Sequence, residues 1–249
     1  MSFEPIRIGN TVIRRTNKTA SLYEITNAAS PHLLKSIDKI DKSYSKAFEA
    51  TDVLTMRSYL KRNRHATELY VAQRLVHDMG KQMQALISAG RSIACFGVDD
   101  VVVVTHRASD KFVHSVINDR DSTLGDSRMD PQFLFLNDHL IFELDDDGAL
   151  IIDHALPVPS KAKAKYAFMS PELWHLVKAD APAPLSVHFK TIYYSAAQLI
   201  IYFLLNAVVL DPLDALTVEV LNPIKSTKLY WFLLRCLAPV PDQRKYIYI

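Results

Sequence analysis

Glycine is scarce, with six in 249 residues, and cysteine is scarcer, with two. A glycine-rich loop that closes around phosphates needs several such residues together, and Gly9 stands alone near the start of the chain. Cys95 and Cys236 are too far apart and too few to staple a disulfide scaffold or build a cysteine metal cluster, which slightly favours a reducing compartment. Charge of one sign is also missing: 29 Lys and Arg against 27 Asp and Glu leave a net +2, no broad reason to expect nucleic acid. Long apolar runs are absent as well. The greasiest stretch, residues 196–210, is interrupted by Gln198 and Asn206 and reads as a buried helix, so no membrane insertion is expected. Charges inside the first fifteen residues argue against a secretion signal, and the expected location is the cytoplasm or an intracellular or viral assembly.

What is present is core material: 49% hydrophobic residues with 22% charged, enough for one large domain or two joined lobes. Residues 4–26 suggest one or two strands. Residues 27–50 suggest a helix with Leu33, Leu34, Ile37 and Ile40 on one stripe. Apolar residues recur on one face over 65–87, the clearest early helix, and Ser88 and Gly90 stop it. Residues 92–96 and 101–104 read as the arms of a hairpin, and 119–131 as a polar connection. Asp145, Asp146, Asp147 and Gly148 turn the chain between apolar segments 140–144 and 149–152, although three carboxylates also suit a hard cation. Pro157, Pro159, Lys161, Lys163 and Lys165 suggest an exposed irregular stretch, and helices are expected over 192–210 and 228–237. The expected class is α+β, in three parts: residues 1–104 with mixed helices and a small sheet, a connecting segment 105–132, and a helix-rich part 133–249.

Three stretches in that last part follow one another in a suggestive order: LIFELDDDGALIIDHA from Leu140, YAFMSPELW from Tyr166 and LYWFLLRCLAPVPDQR from Leu229. Together they resemble the C-terminal lobe of the eukaryotic-like protein kinase family, over roughly residues 140–249. The resemblance implies a compact two-lobed kinase-like fold with a reduced or remodelled N-terminal part. It aligns Asp153, His154 and Ala155 with the magnesium-binding motif, and Ser170, Pro171 and Glu172 with the end of the activation segment. Arg244 then corresponds to the arginine that pairs with that glutamate, a role suited to a carboxylate and a multidonor guanidinium. IYYSAAQLIIYFLLN resembles the central buried helix of that lobe, with Ser195 in its customary place, while Ile192 and Ala197 stand where the family favours aspartate and glycine.

The chemistry of phosphoryl transfer is missing from this pattern. It needs an aspartate near the acceptor hydroxyl, an asparagine for a second metal and a lysine near the nucleotide. Counting back from Gly148 puts Leu136 and Ile141 at the first two positions, and neither offers oxygen. Asn137 and Asp138 are close by but need a shifted backbone, and Arg57 or Lys61 would have to lie on a strand facing Glu68. The implied function is therefore a catalytically inactive structural or protein-interaction module, a subunit of a larger assembly, with a protein partner and no cofactor. The alternative is a divergent Mg-ATP-dependent kinase that uses Asp153, Asp138 and Lys61. The contact candidates are the exposed cations Arg57, Arg62, Arg64, Lys161, Lys163 and Lys165, suited to acidic protein or phosphate. The histidines show no metal-ligand spacing.

Overall fold

The computed structural model describes residues 4–16, 22–26, 46–63, 69–107, 129–156, 168–207 and 219–247. Strands β1 (Ile6–Ile8), β2 (Thr11–Arg15), β3 (Leu22–Thr26) and β4 (Lys46–Glu49) form an antiparallel meander in that order. Alternation makes it: Ile13, Tyr23, Ile25 and Phe48 point into one core, while the cross-strand pair Arg14 and Glu24 meets outside at 2.7 Å. Three strands thus occupy the span where one or two are expected. The end of the helix expected over 27–50 is strand β4, and its body lies outside the described residues.

A second sheet joins β5 (Asp52–Thr55), β7 (Val101–Arg107) and β8 (Met129–Phe135), and a third orders β11 (Leu185–His188), β10 (Ala149–Ile152), β9 (Ile141–Leu144) and β6 (Arg91–Ile93). All described pairings are antiparallel. The hairpin expected between 92–96 and 101–104 does not form, since its arms belong to different sheets. Val101 to Val104 are buried on both faces, so that strand takes a central place between β5 and β8. The β9–β10 hairpin forms where the Asp145–Gly148 turn predicts it.

Helix α1 (Met56–Arg62) is capped by the Thr55 hydroxyl, which accepts from the Ser58 N–H. Helix α2 (Leu69–Ser88) buries Ala72, Leu75, Val76, Met79, Met83 and Leu86, and lies against both β8 and β6. Helices α3 (Pro171–Lys178), α4 (Thr191–Leu205) and α5 (Lys228–Cys236) follow. The apolar α4 is buried over most of its length between α2 and α5, and it ends at Asn206 in a left-handed conformation that asparagine tolerates. No helix among the described residues is long and apolar enough to cross a membrane. The fold is mixed α+β with open sheets. The divisions expected at 104/105 and 132/133 fall inside β7 and β8, and the sheet these strands share with β5 runs across all three expected parts.

Candidate functional site

From the end of β6 the chain runs through a buried connection, residues 94–98, into Asp99, Asp100 and β7. Burial, with the nearby Asp100 charge, pushes the Cys95 thiol up to about 12, so it stays protonated and inert. The Asp100 carboxylate accepts from the Gly97 N–H at 2.8 Å and from Asn137 Nδ2 at 2.6 Å. Burial still holds its carboxyl above the usual aspartate range, because two neutral donors offset only part of the lost hydration. Next to it, Asp138 accepts from both the backbone N–H and Nδ2 of Asn10, at 2.9 and 2.8 Å. The β1–β2 turn is pressed onto this place. Gly9 has φ +57°, and a Cβ there would stand 2.3 Å from Asp138 Oδ1 and 2.9 Å from Asn137 Oδ1, so only glycine fits.

The trio Asp153, Asp138 and Lys61 is not joined by any hydrogen bond or ion pair. Asp153 is exposed at the end of β10 and meets His154 Nδ1 at 2.7 Å, while the imidazole packs on Phe142. Lys61 lies on the exposed side of α1. Arg57 and Lys61 are on a helix rather than on the expected strand, because Thr55 caps the chain into α1 directly after β5. Arg57 forms a two-pronged pair with Asp99, and Arg62 pairs with Asp52 at 2.6 Å. Arg64, Glu68, Lys161, Lys163 and Lys165 lie outside the described residues. Asp145 serves the turn: its Oδ1 accepts from the N–H groups of Asp147 and Ala149, and Gly148 takes φ +78°. Among the described residues no group of three or more His, Cys, Asp or Glu is placed to hold a metal.

Glu172 and Arg244 come together from 72 residues apart. The guanidinium is fully buried: Nη1 and Nη2 grip the two Glu172 oxygens, the second at 2.8 Å, Nε donates to the Ala238 carbonyl at 2.8 Å, and Nη2 also reaches the Pro239 carbonyl. Its plane also lies over the Tyr194 ring, 5.3 Å from the centroid. Burial alone would push the Glu172 carboxyl up. The donors and positive charge of Arg244 outweigh it and hold the group below the usual glutamate range. Around this clamp Ser195 Oγ donates to the Phe168 carbonyl at 2.7 Å, and the Ser170 and Thr191 hydroxyls share a bond. The clamp thus ties α3, α4 and the chain after α5 into one body.

Two structural arrangements on α2 escape sequence reasoning. Asp78 Oδ2 accepts from the Phe133 N–H at 3.0 Å, and Gln82 accepts from the Phe135 N–H at 2.9 Å while donating to the Phe133 carbonyl at 2.7 Å. These side chains satisfy the open edge of β8 as a neighbouring strand would. A second arrangement sits at Gly80, where a Cβ would come within 2.9 Å of the Tyr246 ring, whose hydroxyl donates to the Val76 carbonyl at 2.7 Å. Tyr246 and Tyr193 also line an open cavity of about 720 Å³ along α2, together with Gln73, His77, Lys81 and Gln84. The only sequence signal was two polar residues, Asp78 and Gln82, at i and i+4 beside the apolar stripe. Compared with protein-family models and with curated proteins, the chain matches none.

Proposed function

We propose that the chain is a kinase-like protein that no longer transfers phosphate and acts as a structural or protein-interaction module within a larger assembly. The kinase resemblance orders its parts as catalytic connection, hairpin, then metal-binding aspartate, and the chain offers that order twice. In the first register the hairpin is β9–β10 and the aspartate is Asp153, and the preceding positions are Leu136 and Ile141. In the second, the connection is 94–100, the hairpin is β7–β8 and the aspartate is Asp138.

The observation that carries the reading lies in this second register. Its two carboxylates are engaged by the protein's own donors: Asp100 by Gly97 and Asn137, and Asp138 by the β1–β2 turn. A phosphotransferase has to aim such groups at metal and phosphate. Cys95, buried and protonated, supplies no base. The Glu172–Arg244 clamp, by contrast, is complete, and its work is holding segments together.

Calorimetric titration of the intact protein with ATP and Mg²⁺ tests this, with Asp138→Ala and Asp153→Ala as controls. The expected result is no heat of binding and no stabilisation by the nucleotide. Mg²⁺-dependent transfer of labelled phosphate that either substitution weakens would overturn the inactive reading in favour of the divergent Mg-ATP-dependent kinase built on Asp153, Asp138 and Lys61, whereas binding without transfer would mark a retained nucleotide pocket in an inactive protein.

A further inference from the structure

The described surface treats its cations in two ways. On α1, Arg57 and Arg62 are neutralised by Asp99 and Asp52. On α5, Lys228, Trp231 and Arg235 follow at i, i+3 and i+7 and therefore share one exposed face, while Leu229, Phe232, Leu233 and Cys236 fill the core behind it. Trp231 is 57% exposed, more than any other large hydrophobic among the described residues. The exposed Lys245 lies at the C-terminal end of this helix, its backbone N–H donating to the Arg235 carbonyl, and exposed Lys225 stands just before the helix. None of these four cations has a carboxylate partner among the described residues.

One exposed tryptophan flanked on its helix by Lys228 and Arg235, cations without a carboxylate partner among the described residues, combines an aromatic anchor with a polar rim, the anatomy of a protein interface. We propose that this face docks an acidic protein segment, which brings an apolar side chain onto Trp231 and carboxylates to the surrounding Lys and Arg. Single-stranded nucleic acid fits less well, because it uses several stacking platforms and this face has one. A lipid surface needs an apolar helix face, and that of α5 is spent in the core. The inference goes beyond the reading above and stands whether or not the chain binds nucleotide.

The probe is a fluorescein-labelled heptapeptide of aspartates and glutamates with a central phenylalanine, titrated into the full chain. Thymidine oligonucleotides of equal charge and phosphatidylserine vesicles are run alongside. Salt-sensitive binding is expected, weakened at least about tenfold by Lys228→Glu with Arg235→Glu, and again by Trp231→Ala. In a Trp174→Phe background the peptide should shield the remaining tryptophan from acrylamide. Should the charge reversals perturb folding, seen as a lowered unfolding midpoint, Lys228→Gln with Arg235→Gln replaces them. No peptide binding at about 1 mM, binding indifferent to these substitutions, or tighter binding of the oligonucleotide or the vesicles would each overturn the proposal.

Discussion

Two regions of this molecule bury carboxylates in opposite ways. At the clamp, Glu172 faces a fully buried guanidinium and is held below the ordinary glutamate range. Along α2 and the 94–100 connection, Asp100 meets neutral backbone and amide donors and Asp78 a backbone N–H with Arg74 3.4 Å away, and burial holds both above the ordinary aspartate range. The difference teaches what each region is for. A two-pronged charge pair locks distant segments, whereas an acid whose partners fall short of its lost hydration caps strand edges and loops while remaining ready to take a proton. Neither arrangement leaves its carboxylate aimed at a ligand.

The sharpest way to break this comparison is to remove the countercharge. Arg244→Ala leaves Glu172 without its partner and opens the space over Tyr194, and should cost about 3–5 kcal/mol in urea unfolding. A loss below about 1 kcal/mol would show that the clamp is incidental. On the other side, Gln82→Leu leaves the Phe133 carbonyl and the Phe135 N–H unmet, for an expected loss of about 2–3 kcal/mol. An unchanged denaturation midpoint would mean that β8 finds other partners.

Gly80→Ala tests the joint between the regions, since Tyr246 follows Arg244 closely and packs on α2. The added methyl must displace the ring, an overpacking cost of about 1–3 kcal/mol that differential scanning calorimetry would register. A stabilised protein would instead show that helix propensity outweighs the contact.

The smallest and finest test is a carboxyl titration by carbon NMR. Glu172 should titrate below its ordinary 4.5, while Asp78 and Asp100 should titrate above 3.8. The signs for stability then oppose each other. The clamp contributes fully above pH 4.5 and is lost as pH falls through the lowered Glu172 value. The two aspartates favour folding most below pH 3.8, and that contribution is lost as pH rises through their raised values. Titration of all three on the same side of their ordinary values would erase the contrast.

Legibility followed the range of the interaction. The β9–β10 hairpin could be read from four turn residues between apolar runs, and α2, α4 and α5 from their helical spacing, because each signal and its consequence lie within a few residues. Glu172 and Arg244 were singled out only through a family resemblance, since nothing local marks a pair 72 residues apart. The misread hairpin shows the opposite error: residues 92–96 and 101–104 are neighbours in the chain, yet β6 finds its partner in β9 and β7 lies between β5 and β8. The pairing of Asn10 with Asp138 spans 128 residues and gave no sequence signal.

By itself the amino-acid sequence determined the helical stripes of α2, α4 and α5, which turn closes the β9–β10 hairpin, and that its six scattered glycines build no glycine-rich phosphate loop, because these depend on side-chain period and backbone freedom within a few residues. Only the tertiary structure decided that Asp138 answers to Asn10, that Asp78 and Gln82 cap β8, that Gly80 makes room for Tyr246, and that Trp231 and its cations share an open face. Those outcomes rest on which surfaces meet once the core closes, and burial alone turns an ordinary carboxylate or glycine into one with a single workable partner.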